Sequence, residues 1–238
     1  MPWLAANSST TPTSCRSSWP TRSAAATTGG WGYACAPCRW AGFEQICRLE
    51  DVDWSAQITL DRRLLDAACS LQFLDRREHV LLVGPVGVGK SFLAQALGYA
   101  AVRAGHTVRF APADRCFRDM AQARVDRSVD KTFRSFLAPD LLILDDLGLH
   151  RLDHQQSIDL YELAIARHRT ASFVITSNRD VEEWLGLLDD PILAGSALDR
   201  LANASYQIAI DGESYRQRLA PHRALLEQKE VDDAPTAH

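Results

Sequence analysis

The chain has 238 residues, of which 46% are hydrophobic and 24% charged, and its formal net charge is −4. Those values suit a globular protein large enough to bury a core without disulfides or metals. No apolar run approaches the roughly 18 residues that span a bilayer, which excludes a spanning helix, and the acidic balance excludes nucleic-acid binding by bulk positive charge while leaving a local basic patch open.

The first 43 residues differ from the rest. They contain no Asp or Glu, and their only charges are Arg16, Arg22 and Arg39. Fifteen of residues 1–30 are Ser, Thr or Pro. No apolar period of 3.6 or 2 runs through them, so an atypical, disordered segment is expected over 1–43. Three readings of it stand: a Ser-rich, acid-poor transit-like leader, a secretory signal, and a misread or frame-shifted start. The signal lacks the apolar h-region it needs. Cys35-Ala-Pro-Cys38 is half of a zinc-site spacing with no second half in the chain. Scattered cysteines without a secretory signal point to a reducing, cytoplasmic setting.

From Phe43 the texture changes. Glu44–Trp54 is a short acidic and apolar segment. Leu60, Leu64, Leu65, Ala68, Leu71 and Leu74 stand at helical spacing, which predicts one amphipathic helix over 60–75. His79–Val83 is an apolar run ending at glycines, as a buried parallel strand does. Further strands are predicted near 107–110, 141–144, 172–176 and 206–210. Helices are predicted near 90–104, 113–123, 153–168, 181–188 and 193–203. This alternation predicts an α/β fold with a mostly parallel sheet and helices on both faces. A polar tail, 221–238, closes the chain.

Gly84-Pro85-Val86-Gly87-Val88-Gly89-Lys90-Ser91 fits GxxxxGK[ST], with Phe92 continuing the helix it opens. Glycines let backbone N–H groups wrap phosphates, and the helix N-terminus adds positive potential. In that chemistry Lys90 reaches the β- and γ-phosphates, and the Ser91 hydroxyl joins a Mg²⁺ shell. A second apolar strand, Leu141–Leu144, runs into Asp145-Asp146. C-terminal strand ends gather at the ligand crevice of a parallel sheet, so Asp145 is a candidate Mg²⁺ ligand and Asp146 a candidate general base. A third strand ends in Ser177-Asn178-Arg179. Asn178 can donate and accept, and would orient water if this strand neighbours the phosphate-loop strand.

The order of these motifs resembles the AAA+ ATPases. Glu182-Glu183-Trp184, Asp190-Pro191, Ala197-Leu-Asp199-Arg200-Leu201 and Asp211-Gly-Glu-Ser-Tyr-Arg216 make the resemblance specific to the IstB family, ATP-binding helpers of bacterial insertion sequences and relatives of the DnaC-type helicase loaders. The resemblance covers 44–220. It implies a P-loop NTPase three-layer sandwich, an AAA+ core with a reduced C-terminal lid. It implies ATP and Mg²⁺ as ligands, Asn178 as sensor, and Arg200 as the finger that acts on ATP held by a neighbouring subunit, so that turnover follows assembly. Arg216 would be a second γ-phosphate sensor. The family has Asp where many AAA+ proteins have Glu at position 146, which implies slow hydrolysis. A helical N-terminal domain usually precedes this core; here the Ser/Thr-rich stretch stands in its position.

Arg109, Arg115, Arg118, Arg124, Arg127, Lys131 and Arg134 form a basic series interleaved with Asp114, Asp119, Asp126 and Asp130. It reads either as a solvated helix surface laced with ion pairs or as a stripe that tracks a phosphate backbone. No base-reading motif accompanies it. The expected activity is a DNA-dependent ATPase that forms a homo-oligomer in ATP on duplex DNA, without sequence specificity, and assists a transposase. The alternatives are a replicative helicase loader and a nucleotide-binding remnant without turnover.

Overall fold

The protein is described here by a computed structural model covering residues 41–43, 45–52 and 58–215. Its framework is a six-stranded sheet. The strands are β1 (Ile58–Leu60), β2 (His79–Val83), β3 (Val108–Pro112), β4 (Leu141–Asp145), β5 (Ser172–Ser177) and β6 (Ser205–Gly212), in spatial order β1-β6-β2-β5-β4-β3. Only the β1–β6 pair is antiparallel. The expected α/β fold with a mostly parallel sheet is what forms.

The helices are α1 (Arg62–Cys69), α2 (Gln72–Asp75), α3 (Lys90–Arg103), α4 (Ala113–Val125), α5 (Val129–Leu137), α6 (His154–Arg167) and α7 (Pro191–Ala202). Successive strand side chains point to opposite faces, so each strand feeds two cores. Leu141, Ile143 and Val174 join α1–α3 on one face, with Leu65, Phe73, Leu93 and Leu97. Leu142, Leu144, Phe173 and Ile175 join the other face, with Phe117, Phe136, Leu160, Leu163, Trp184 and Leu201. The result is a three-layer sandwich. Near the start of the described chain Ala41 and Cys47 are buried, and the Phe43 ring lies 6.2 Å from that of Phe110.

The elements start where local chemistry favours a start. Asp61 caps α1 by accepting from the Arg63 and Leu64 amides. Asp153 and Gln156 form a reciprocal capping box on α6. Asp190 accepts from the Ile192 amide, and Pro191 opens α7 with its fixed φ.

Two sequence expectations need correction. The helix over 60–75 is not continuous: Leu60 belongs to β1, and Leu71 adopts φ 60°, which separates α1 from α2. The Ser70 hydroxyl donates to the Ala67 carbonyl at 2.7 Å and draws the chain out of the helix there. Residues Val181–Gly186 form a 3₁₀ turn rather than an α-helix. Helix α5 and strand β1 were not predicted. The Cys35/Cys38 pair and Arg216 lie outside the described residues. Among the described residues, no helix is long and apolar enough to cross a membrane.

Candidate functional site

The strand order decides which sequence motifs meet. Strand β5 lies between β2 and β4, with Val83 opposite Ser177 and Leu144 opposite Ile175. The glycine loop that follows β2, the Asp145-Asp146 pair that ends β4, and Asn178 just beyond β5 therefore emerge together on one edge of the sheet. The condition placed on Asn178, that its strand neighbour the phosphate-loop strand, is met.

The loop is held open by backbone that only glycine tolerates. Gly84 has φ 146°, and a Cβ there would overlap the Ile210 carbonyl of β6. Gly87 has φ 91°, and its missing side chain makes room for Ser214. The Tyr215 amide then donates to the Gly87 carbonyl at 2.9 Å, so the segment after β6 clasps the loop. At Gly89, φ 96°, a Cβ would meet nothing within 4 Å, so it is the backbone angle that calls for glycine as the chain turns into α3. Lys90 is buried, and its Nζ donates to the Gly84 and Pro85 carbonyls, both at 2.7 Å. An ammonium held by loop carbonyls is a positive charge fixed at the loop. Ser91 follows it in the first turn of α3.

On β4, Asp145 is only 8% exposed, whereas Asp146 is exposed and has φ 57°. The Thr176 hydroxyl donates to Asp145 Oδ1 at 2.6 Å and accepts from the Asp146 amide at 2.8 Å. The Ser177 hydroxyl donates to the Leu147 carbonyl at 2.7 Å, and the Gly84 amide donates to the Ser177 carbonyl at 3.2 Å. Thr176 and Ser177 thus join the glycine loop to the aspartate turn. Sequence reasoning singled out Asn178 in this segment and missed both neighbours. Their partners lie in the aspartate turn, about 30 residues back, and in the glycine loop, relations that only the register reveals.

These residues fit Mg-ATP. The cradle at Gly84, Gly87 and Gly89 is one that Cβ atoms would fill or strain, the fixed ammonium suits phosphate, and Ser91 with Asp145 supplies the hard oxygen donors that Mg²⁺ takes.

The arginines divide. Arg200, on α7, makes its hydrogen bonds elsewhere: Nη1 donates to the Ser196 carbonyl and hydroxyl, both at 2.7 Å. In the basic series, Arg109 is half-buried, donates to Ser135 Oγ at 2.7 Å, and lies 3.8 Å above the Phe136 ring. Arg124 pairs with the buried Asp159. Both therefore have partners within the fold. Arg115, Arg118, Arg127, Lys131 and Arg134 remain exposed on α4, α5 and their connection. The other motifs also carry structure. The indole of the buried Trp184 donates to the Arg179 carbonyl at 3.3 Å, and Arg179 Nε donates to the Gly148 carbonyl at 2.8 Å.

Known proteins resemble this chain in sequence and in fold. The family model described as IstB-like ATP binding protein matches residues 36–222. A protein of Mycobacterium tuberculosis described as an ATP-binding protein in an insertion sequence is 43% identical over 186 residues, which is 78% of this chain and 74% of that one. A protein of Pseudomonas aeruginosa described as the ATP-binding protein of insertion sequence IS21 is 36% identical over 168 residues, covering 71% and 63%. Among solved structures, DnaI superposes with a TM-score of 0.59 at 20% identity, covering 69% of this chain and 90% of DnaI. The DnaC helicase loader superposes with a TM-score of 0.53 at 23% identity, covering 63% and 89%. At those identities the structural likeness speaks for the fold alone.

Proposed function

The chain belongs to the IstB-like ATP-binding proteins, and from that premise we propose that it is a cytoplasmic, DNA-stimulated ATPase that assists a transposase in selecting target DNA. One observation carries the ATPase half: β5 lies between β2 and β4, so a glycine loop with a fixed lysine, two aspartates and an asparagine share one sheet edge. The transposase half is supported by relatives described as insertion-sequence proteins.

In this reading the loop amides and Lys90 hold the triphosphate and balance its charge. Bound Mg²⁺, held by Ser91 and Asp145, would supply Lewis-acid neutralisation of the phosphate oxygens. Asp146 accepts a proton from water, whose oxygen forms the new bond to the γ-phosphorus as the bond to the β–γ bridging oxygen breaks. Asn178 orients that water. Arg200 of one subunit offsets transition-state charge at the ATP of the next, which couples turnover to assembly. Arg115, Arg118, Arg127, Lys131 and Arg134 follow the phosphate backbone of duplex DNA, a few contacts per subunit, so binding falls as salt rises.

The test is ATP hydrolysis by the purified chain, alone, with duplex and with single-stranded DNA, with Lys90→Ala as the blank. Duplex stimulation that is lost in Lys90→Ala, and lost in Arg200→Ala with ATP binding retained, is the expected result. Stimulation by single strands alone would replace the transposition reading with a helicase loader. ATP binding without any turnover would make the chain a nucleotide-binding remnant.

A further inference from the structure

Two aspartates are asked to do different work one residue apart, and a single buried hydroxyl touches both. We propose that Thr176 is a positioning residue for hydrolysis, fixing the Asp145 carboxylate and the Asp146 backbone in one working arrangement. The proposal rests on the ATPase reading above.

Thr176 is fully buried near the C-terminal end of β5. A hydroxyl has one proton to donate, and this one goes to Asp145 Oδ1 at 2.6 Å. The same oxygen accepts from the Asp146 amide at 2.8 Å. The Thr176 carbonyl accepts from the Leu147 amide, also at 2.8 Å. Three consecutive residues of the aspartate turn are therefore tied to one residue of β5.

The turn needs such a tie. Asp146 has φ 57°, a backbone state that L-residues leave unless their surroundings hold them. The accepted amide bond holds it there, and that φ determines where the exposed Asp146 side chain points. The donated bond holds the rotamer of Asp145. Next in sequence, the Ser177 carbonyl accepts from the Gly84 amide, so the strand that sets the aspartates also sets the first glycine of the phosphate loop. Thr176 acts through the aspartates. It is not a catalytic residue.

The test compares Thr176→Val, which keeps the shape and removes the hydroxyl, with Thr176→Ser, which restores it. For Thr176→Val the expected result is an ATP affinity within about threefold of wild type and a kcat lower by roughly 10- to 100-fold, the scale of a misplaced reacting group. The Mg²⁺ concentration for half-maximal turnover should rise in the same variant, since Asp145 is released. Thr176→Ser should recover most of both. Thr176→Cys, with a weak donor of similar size, should fall between them and serves if the valine variant does not fold. Normal kcat in Thr176→Val, or a serine variant as slow as valine, overturns the proposal. So does an ATP affinity that falls in step with kcat, because that is what a merely structural role predicts. Wild-type protein indistinguishable from Lys90→Ala is the separate failure of the ATPase reading. In that case hydrogen exchange decides: Thr176→Val must lose protection of the Asp146 amide while Thr176→Ser keeps it, and unchanged protection overturns the positioning role.

Discussion

The two ends of the sheet both bury polar groups but differ in what they expose. At the C-terminal ends of the strands, Asp146 and Asn178 are exposed, and the backbone passes through positive φ at Gly84, Gly87, Gly89 and Asp146. At the N-terminal ends Arg167 and His79 are sealed in. Arg167 is 1% exposed and donates to five carbonyls: those of Phe136, Leu137 and Pro139 from Nη1, and those of Asp140 and Ser172 from Nη2. Its guanidinium also lies 5.0 Å from the Phe173 ring centre. Beside it, buried His79 accepts the Phe173 amide at its Nδ1. Positive φ and exposed polar side chains mark one end. The other end buries a guanidinium, normally a destabilising act, and offsets the cost by gathering the ends of α5 and α6 with the starts of β4 and β5.

The sharpest way to break this contrast is Arg167→Met, which keeps bulk and removes every donor. Five carbonyls lose a charged partner, so a loss of about 3–5 kcal/mol in unfolding free energy is expected, read from urea denaturation. Burial pushes the Arg167 pKa down to about 10, and it stays charged at neutral pH. ATP affinity measured well below the transition should change by less than about twofold, because the glycine loop lies at the other end. An unchanged midpoint would mean the carbonyl cluster is not what holds these elements.

The same contrast explains what the sequence makes legible. The glycine loop can be read directly because its residue types are its chemistry, and Asp145-Asp146 can be read because two carboxylates after a run of apolar residues mark the end of a strand buried on both faces. Arg167 offers no such signal. It sits in α6 like any surface arginine, and its five acceptors come from segments up to 31 residues away. Arg109 belongs to the basic series by composition, yet β3 directs it onto Phe136. Val129, Phe133, Phe136 and Leu137 stand at helical spacing, but the surrounding charges draw attention away from α5. The break at Leu71 is a tertiary override: the helical period continues through it while the backbone does not.

His79 sharpens the contrast through pH. Burial first, then the charge of Arg167 and of His168, lowers its pKa to about 4, against 6.5 for an ordinary histidine. Between those values the unfolded chain binds the proton and the folded chain does not, so stability falls as pH drops from about 6.5 to about 4 and this contribution falls no further below that. Above 6.5 it is constant. The full difference is on the order of 3 kcal/mol. His79→Asn, whose amide oxygen can accept the Phe173 amide, should flatten the fall across that window while leaving stability near pH 7.5 within about 1 kcal/mol. Identical slopes for the two proteins would assign the acid sensitivity to other groups.

The smallest expected effect on stability comes from the C-terminal end of the strands and has the opposite sign. Asp146 at φ 57° carries a steric cost that glycine does not, while glycine makes the unfolded chain more flexible. The balance favours glycine at positive φ, so Asp146→Gly should raise stability by on the order of 0.5 kcal/mol. Its turnover should fall at least 100-fold, since the proposed base is gone. Asp146→Asn separates the two effects: it keeps the Cβ, and with it most of the steric cost that glycine removes, but it cannot take the proton. Equal loss of turnover in both variants, with added stability only in the glycine one, is the outcome that ties backbone strain to function at this edge. A glycine variant less stable than wild type would mean that Asp146 is held by contacts of its own side chain, and that its conformation is a matter of packing rather than of presentation.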